Sequence, residues 1–539
     1  MVYGISSGLL LRFLFVSYAI YKPYPLDRFW KSSVSPNPLP SLGRTLAQIE
    51  HHGQYGDPGY TSLVLHVLSL TVVTRVHPEK PSARAWIRRL FRGETCYLKA
   101  GPQATFQPPH HKYNLKISKI VAKFQAMYRK RLISEKIRKA LEFFPVVAVM
   151  GARQTGKTTL VRKEFPERAY FSLDSPEVRA IMEEGALDFL SAQKDPVTLD
   201  EVQKVPSAFQ IIKILVDKDR KPGRFLITGS ANFLLMKNIT ETLAGRIAIF
   251  ELPGFTLSEA ENLAPSSLIK YCLEDKEAPP SPPLTSWEGP DLHEVVTRGS
   301  YPPAVLAPDP ETRTMWLENY VATYLERDLR ELSQVASLGD FRKVMGLAAM
   351  RTGQVLNISE LARDAGLPFS TTRNYLNLLE VSYLIRKLPT YFANIGKRLV
   401  KSPKLHFRDT GLALVLSGLT PSPETLILHP YYHALVETFL VEEIVKLTNL
   451  LRSRVTFHYF RSHGGAEVDL VLEEGERLLP IEIKATSQVS LKKLSGIRQF
   501  LQDFKNRAPF GLVIYTGERP LKLTPNLLLV PWFMALVGQ

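Results

Sequence analysis

The stretch GARQTGKT between Gly151 and Thr158 has the spacing Gly-x4-Gly-Lys-Thr, which suits a loop wrapped around a phosphate. Gly151 and Gly156 let backbone N–H groups curl around phosphate oxygens, and a helix starting at the end of the loop adds the positive end of its dipole. Lys157 would reach the β- and γ-phosphates and Thr158 would hold Mg²⁺, with Thr159 beside it in the same turn. Downstream, the apolar run of PVTLDEVQ ends in Asp200, which can hold Mg²⁺, and Glu201, which can polarise an attacking water. RFLITGS then delivers Thr228 and Ser230 near the γ-phosphate, and LAGRIAIFELPGF carries Arg246 beside a glycine.

A second set of reactive groups lies near the carboxy end, in GGAEVDLVLEEGERLLPIEIKATS. A turn at Gly475-Glu476, with Gly in the first central place of a type II′ turn, sets Glu474 against Arg477. The same register brings Asp469 opposite Glu482, with Lys484 on the same face. Two carboxylates so placed are either a solvated edge or a cradle for a hard divalent cation, where Lys484 could orient hydroxide or stabilise a scissile phosphate. The spacing Asp-x12-Glu-x-Lys resembles the PD-(D/E)XK nuclease core, and Glu437, on the amphipathic helix HALVETFLVEEIVKL, stands where that fold often adds a further acid. Against this stands a hairpin with chance charges, or a structural relic of a nuclease.

A third segment, NISELARDAGLPFSTTRNYLNLLEVSYLIRKL, has a helix-turn-helix pattern. Asn357 or Ser359 can cap a helix that stops at Gly366, and Ser370 can cap the next. That second helix carries an apolar stripe of Tyr375, Leu376, Leu379 and Tyr383, with Thr371, Arg373, Asn374 and Asn377 on another side. Residues 381–408 then hold seven basic residues, among them Lys397, Arg398 and Lys401, and no acid. Such unopposed charge at the wing of a winged helix favours contact with double-stranded DNA, without evidence of sequence specificity. The alternative is a winged helix used for domain packing.

The elements that must position these groups follow from pattern. VVAVM reads as a buried parallel strand and TTLVRKEF as a helix, with AYFSLDS, PVTLDEVQ and RFLITGS as further strands, an α/β arrangement. LKKLSGIRQFLQDF and GLVIY supply a helix and a strand after the carboxy-terminal hairpin. The expected division is a basic amino-terminal extension (1–126), a P-loop domain (127–262), a Pro-rich excursion and linker helices (263–335), a winged helix-turn-helix (336–420) and a nuclease-like α/β domain (421–539). LENYVATYLERDLREL, in the linker, reads as a packing helix.

Of the +16 net charge, +11 falls in residues 1–126, which hold 16 Lys and Arg against 5 Asp and Glu. The basicity therefore says little about the body of the chain. The extension lacks any sustained period of 3.6 or 2, so it is expected to be poorly ordered or to precede a start near Met127. Its apolar runs are too short to span a bilayer, and no signal-peptide pattern is present. Two cysteines exclude a disulfide framework and point to a reducing cytoplasm.

Together, GARQTGKTTL, TLDEVQ, LITGS and LAGR…LPGFTLSE resemble a prokaryotic family of AAA-type P-loop ATPases. The resemblance covers about 127–539 and implies a winged helix and a restriction-endonuclease-like region of unknown function after the ATPase. It implies ATP and Mg²⁺ as ligands, Ser230 as a sensor and Arg246 as a charge-neutralising arginine. Whether Arg246 acts in cis or across the boundary of a homo-oligomer stays open. Tyr324, Arg327 and Asp328 match a YLxRDL pattern of the same family, and RGSYPP (298–303) departs from its usual Gly-Gly-aromatic-Pro turn. The expected function is an Mg²⁺-dependent ATPase coupled to DNA binding, with DNA cleavage by the carboxy-terminal region left open. The alternative is a non-nucleolytic, nucleotide-dependent switch acting on DNA or a protein.

Overall fold

Val146–Met150 is apolar throughout and forms a strand, β1 (Val146–Gly151), buried from end to end, as expected of a parallel strand covered on both faces. The computed structural model describes residues 128–538, apart from 194–195, 231–241, 275–285, 326–336, 393–400, 452–453 and 463. The expectations for residues 1–126, for Lys397 and Arg398, and for Arg327 and Asp328 therefore lie outside the described residues.

Five parallel strands make the first sheet in the order β2-β3-β4-β1-β5, with β2 Ala169–Ser172, β3 Val197–Asp200, β4 Phe225–Ser230 and β5 Ile247–Glu251. Side chains alternate between its faces. Val146, Ala148 and Met150 pack with Met182 and Leu190 of α3 (Pro176–Ala192) and with Phe209, Ile212 and Val216 of α4 (Ala208–Lys218). Val147 and Val149 pack with Ile137 of α1 (Ser134–Leu141) and with Leu160 and Val161 of α2 (Lys157–Glu164). Each such Val, Leu, Ile, Phe or Met side chain, fully withdrawn from water, contributes about 1.5–3 kcal/mol. The expected α/β class with a parallel sheet is what the chain forms.

After β5, α5 (Leu257–Glu261) starts with a reciprocal cap between Thr256 and Glu259. The Pro-rich stretch is only partly the surface excursion expected. Leu268–Glu274 forms α6, with Ile269, Cys272 and Leu273 buried, and Trp287 stacks on Phe533 at 5.6 Å. Proline interrupts elements but leaves the apolar residues between them free to join a core. The expected linker helix is helical as far as the described residues go: an α-helix over Pro310–Asn319 continues as a wider π-helix over Tyr320–Leu325.

Three helices follow, α7 (Leu338–Ala349), α8 (Ile358–Ala365) and α9 (Phe369–Val381), with a small antiparallel sheet ordered β6-β8-β7. Its strands are β6 Gln354–Val355, β7 Ile385–Leu388 and β8 Lys404–Phe407. Asn357 caps α8 by accepting from the Glu360 amide, and Gly366 ends it. Ser370 does not cap α9. Pro368, with ψ 147°, holds that place and Ser370 falls inside the first turn.

The last unit is a mixed sheet ordered β13-β14-β12-β11-β10-β9. Its strands are β9 Thr456–Arg461, β10 Glu467–Glu474, β11 Arg477–Lys484, β12 Gly511–Tyr515, β13 Leu521–Thr524 and β14 Leu527–Pro531. The β10–β11 hairpin pairs Glu474 with Arg477 and Leu470 with Ile481, and Gly475 supplies the positive φ of the turn at +58°. The 20-residue helix α10 (Tyr432–Leu451) packs with Leu470, Leu472, Leu479 and Ile481. On the other face α11 (Ser495–Asp503) packs with Val468, Val471 and Leu478. Leu450 of α10 also joins the core behind β1. No helix among the described residues is long and apolar enough to cross a membrane.

Candidate functional site

In a parallel sheet, loops at the carboxyl ends of the strands gather into one crevice. Gly151 and Ser230 are register partners at the ends of β1 and β4, and Ser172 and Asp200 at the ends of β2 and β3. Gly151 has φ +153°, and a Cβ there would stand 2.4 Å from the Leu252 carbonyl oxygen, so the loop closes only on glycine. Gly156, at φ +92°, leads into α2. Lys157 is buried and lies across the loop, its Nζ donating to the carbonyls of Gly151 (3.1 Å) and Ala152 (2.8 Å). Thr159 is exposed on α2.

Asp200, only 2% exposed, accepts from three hydroxyls. Thr158 Oγ1 (2.8 Å) and Tyr170 Oη (2.6 Å) donate to Oδ2, and Thr228 Oγ1 donates to Oδ1. Glu201 is held at φ +58°, a conformation costly for a non-glycine residue and common at functional sites. Its Oε2 accepts from Ser230 Oγ at 3.1 Å and from the Gln203 amide, which also reaches Ser230 Oγ at 3.0 Å. Burial pushes the Glu201 carboxyl upward, but Lys157, Gln203, Ser230 and Arg153 together hold it below the usual carboxylate range. A hydroxyl and a carboxylate in contact at the positive end of a helix are the hard oxygen donors that fit Mg²⁺ beside a triphosphate.

The structure thus gathers Gly151, Gly156, Lys157, Thr158, Asp200, Glu201 and Ser230 at one crevice. Arg246 is not with them. Its carbonyl accepts from Val146 N at the opposite end of β1, and its guanidinium pairs with exposed Asp217 at 2.5 and 3.0 Å. Spacing alone missed Arg131, 3% exposed, which braces the loop from behind. Its guanidinium donates to the carbonyls of Thr155 (2.8 Å) and Pro253 (2.7 Å) and pairs with Glu259 at 3.2 Å. The same layer reaches α10: Leu257 N donates to Glu443 at 2.7 Å, and Lys446 Nζ donates to the Phe255 carbonyl at 3.2 Å.

The carboxy-terminal residues also converge, with an addition the spacing did not signal. Lys404 of β8, 3% exposed, places Nζ 2.6 Å from Glu437, 2.9 Å from Glu467 and 3.5 Å from Asp469. Asp469 Oδ2 accepts from Ile483 N at 2.8 Å, and Lys484 Nζ lies 2.5 Å from Glu482. Burial, then the neighbouring Asp469 charge, raises both Glu437 and Glu482 to about 8. Among the described residues no group of three or more His, Cys, Asp or Glu is arranged to hold a metal ion. An ammonium group stands among the carboxylates expected to cradle one.

The basic run after α9 is not unopposed. Arg386 pairs with Glu442 of α10 at 2.6 Å, Lys387 with Glu380 at 2.9 Å, and Arg408 with Glu251 and Glu442. With Lys404, four of the run's five cations among the described residues are matched by acids outside it. Lys401 is exposed. On α9, Arg373 and Asn374 are exposed and Thr371 is half-buried, while Tyr375, Leu376 and Leu379 face the core.

Three family models match the chain: an AAA domain over residues 144–261, a domain of unknown function (DUF8612) over 289–423 and another (DUF4143) over 432–533. The chain is 32% identical over 422 residues to uncharacterized protein Rv2008c of Mycobacterium tuberculosis, covering 78% of this chain and 87% of that protein. The same values hold for Mb2031c of Mycobacterium bovis. Among solved structures it is similar to the Walker-type ATPase PABY2304 of Pyrococcus abyssi (16% identity, 54% of this chain and 95% of that one, TM-score 0.36). It is also similar to Thermotoga maritima RuvB (16% identity, 48% and 89%, TM-score 0.24). With the AAA domain matched over the phosphate loop and its carboxylates, and the mycobacterial proteins aligned across most of their length, the chain belongs to their family, that of AAA-type P-loop ATPases with a carboxy-terminal DUF4143 region.

Proposed function

We propose that this protein is an Mg²⁺-dependent ATPase whose nucleotide state is transmitted through α10 to a carboxy-terminal unit that works as a switch rather than as a nuclease. Lys157 would leave the loop carbonyls for the β- and γ-phosphates, and Thr158 and Asp200 would hold the metal. Bound Mg²⁺ would neutralise charge on the transferring phosphoryl group. Glu201 would turn from Ser230 and Gln203 to orient a water whose oxygen attacks the γ-phosphorus. The bond to the β,γ-bridging oxygen breaks and ADP leaves. Ser230, freed from Glu201, would sense the γ-phosphate. The observation that carries the catalytic half is the 2.8 Å bond from Thr158 to Asp200 beside a buried Lys157. Lys157→Ala should abolish ATP turnover; full turnover in that variant would refute the assignment.

The switch half rests on Lys404. An acidic cluster neutralised by the chain's own ammonium has no call for a divalent cation, so the PD-(D/E)XK-like arrangement of Asp469, Glu482, Lys484 and Glu437 is read as scaffold. Wild-type protein with plasmid and Mn²⁺ should leave the plasmid intact. Nicking that disappears in Asp469→Ala and Glu482→Ala would instead establish a nuclease.

A second reading, contact with double-stranded DNA through a winged helix, is favoured by the polar outer face of α9, where Arg373 and Asn374 are exposed, and by exposed Lys401. It predicts duplex binding that weakens steeply with salt and is reduced by Arg373→Ala. Negligible binding at low salt would leave a protein as the target.

A further inference from the structure

Tyr170 has no part in the reading of the phosphate site from sequence, yet its hydroxyl makes a shorter contact with Asp200 than Thr158 does, 2.6 against 2.8 Å. It sits on β2, an edge strand, paired in register with Thr198, two residues before the Ser172–Asp200 pair. Its ring packs on the same cluster as Leu160 and Val161 of α2, and the Arg162 guanidinium lies 5.0 Å from the ring centroid. Tyr170 thus spans the space between the helix that follows the phosphate loop and the carboxylate at the end of β3.

The consequence lies in the lone pairs of Asp200. A carboxylate oxygen offers about two in-plane acceptor sites, and Oδ2 already receives Thr158 and Tyr170. While both hydroxyls donate, that oxygen has no free direction for a metal ion. Asp200 is then left to act on a cation through water or through Oδ1, which receives Thr228. Mg²⁺ dehydrates reluctantly and keeps several waters, so it suits a carboxylate that acts at one remove.

Resting on the P-loop reading above, we propose that Tyr170 is a positioning residue for the metal: by occupying Oδ2 of Asp200 it keeps that oxygen from coordinating directly and sets the preference of the site for Mg²⁺ over Mn²⁺. Removing the phenolic hydroxyl frees a lone pair on Oδ2, so that the carboxylate can swing to direct coordination, which Mn²⁺ accepts more readily than Mg²⁺.

The test is Tyr170→Phe in the full chain, read three ways. Binding of a fluorescent ATP analogue in excess EDTA reports an intact fold and should be unchanged. The Mg²⁺ concentration for half-maximal turnover should rise about tenfold or more, the scale of one lost hydrogen bond to a charged group. The Mn²⁺ affinity of the ADP complex, read by electron paramagnetic resonance, should rise relative to that for Mg²⁺ measured by competition. Tyr170→Trp, which fills the space without a hydroxyl at that place, should repeat the metal effects. If nucleotide binding is intact and the Mg²⁺/Mn²⁺ selectivity equals that of wild type in both variants, the proposal falls while the P-loop reading stands. A wild-type protein that neither binds nor turns over ATP would bring down both.

Discussion

Lys404 on β8 and Glu437 on α10 lie 33 residues apart in the sequence and 2.6 Å apart in the fold. The lysine comes from the small three-stranded sheet, and its other partners, Glu467 and Asp469, come from β10 of the mixed sheet. One buried ammonium therefore ties a helix and a strand from each of two sheets. Desolvation alone would push Lys404 toward the neutral form, but Glu437, Asp469 and Glu467 overcome it and hold the side chain charged. This interlock fastens the small sheet to α10 and to β10 of the mixed sheet.

Removing the charge should therefore be costly. Lys404→Met leaves Glu437 and Asp469 without their shared cation in a buried place, and breaking such a pair by losing one partner costs about 3–5 kcal/mol. Urea denaturation should show a lower midpoint for Lys404→Met. Adding Asp469→Asn should recover a large part of the loss, because the uncompensated charge goes with it. A double variant as unstable as the single one would place the cost in packing instead.

The raised carboxyls fix the sign of a pH effect. Glu437 and Glu482 hold protons up to about 8, against an ordinary value of 4.5. The folded form thus keeps protons that the unfolded chain releases. Their contribution is full below about 4.5, is lost as pH rises toward about 8, and changes no further above it. Glu437 is faced by Lys404 and His406 from β8 and by Glu467 and Asp469 from β10, and Glu482 by Lys484. Burial and the nearby cations keep His406 neutral in the fold while the unfolded chain charges it near 6.5, so it opposes this slope below about pH 7 without outweighing the two carboxyls. Unfolding midpoints should fall between pH 6 and pH 8.5, and Glu437→Gln should flatten that fall. An identical slope in the variant would rule the carboxyl out as its source.

What was legible in the sequence was local. The phosphate loop, the cap at Asn357 and the β10–β11 register each depend on residues within a dozen positions of one another, so spacing carries them. The pairing of Arg408 with Glu251 spans 157 residues, and that of Arg386 with Glu442 spans 56. No window around residues 381–408 contains those acids, so the cations read as unopposed. Tyr170 escaped for the same reason: its strand was legible, but the partner of its hydroxyl lies 30 residues on, across a sheet.

The layer between the phosphate loop and α10 should be measurable as coupling. Arg131 contacts Thr155 in the loop and Glu259 in α5, and the Leu257 amide beside it reaches Glu443. Arg131→Lys cannot span both carbonyls and the carboxylate, and the loss of charged hydrogen bonds should raise KM for ATP about tenfold. In wild type, ATP should slow amide exchange in α10 as well as around the loop. In a Glu443→Ala/Lys446→Ala variant the slowing should stop at the AAA domain. Equal protection of α10 in both proteins would dismiss this route.

Arg246 offers a test of where any arginine assistance comes from. Val146, whose amide donates to the Arg246 carbonyl, begins the strand that Gly151 ends, so Arg246 lies roughly 16 Å along the sheet from the phosphate loop. It is occupied by Asp217 in an exposed pair that solvent screens strongly. A side chain held there cannot reach a γ-phosphate in the same subunit, but it could face the crevice of a second copy. Arg246→Ala should therefore turn over ATP like wild type at protein dilutions where sedimentation shows monomer. A deficit should emerge only where the wild type self-associates and gains activity with concentration. Loss of turnover in the dilute monomer would mean that the guanidinium travels to its own phosphate site during the cycle, and the sheet edge seen here would be its resting place.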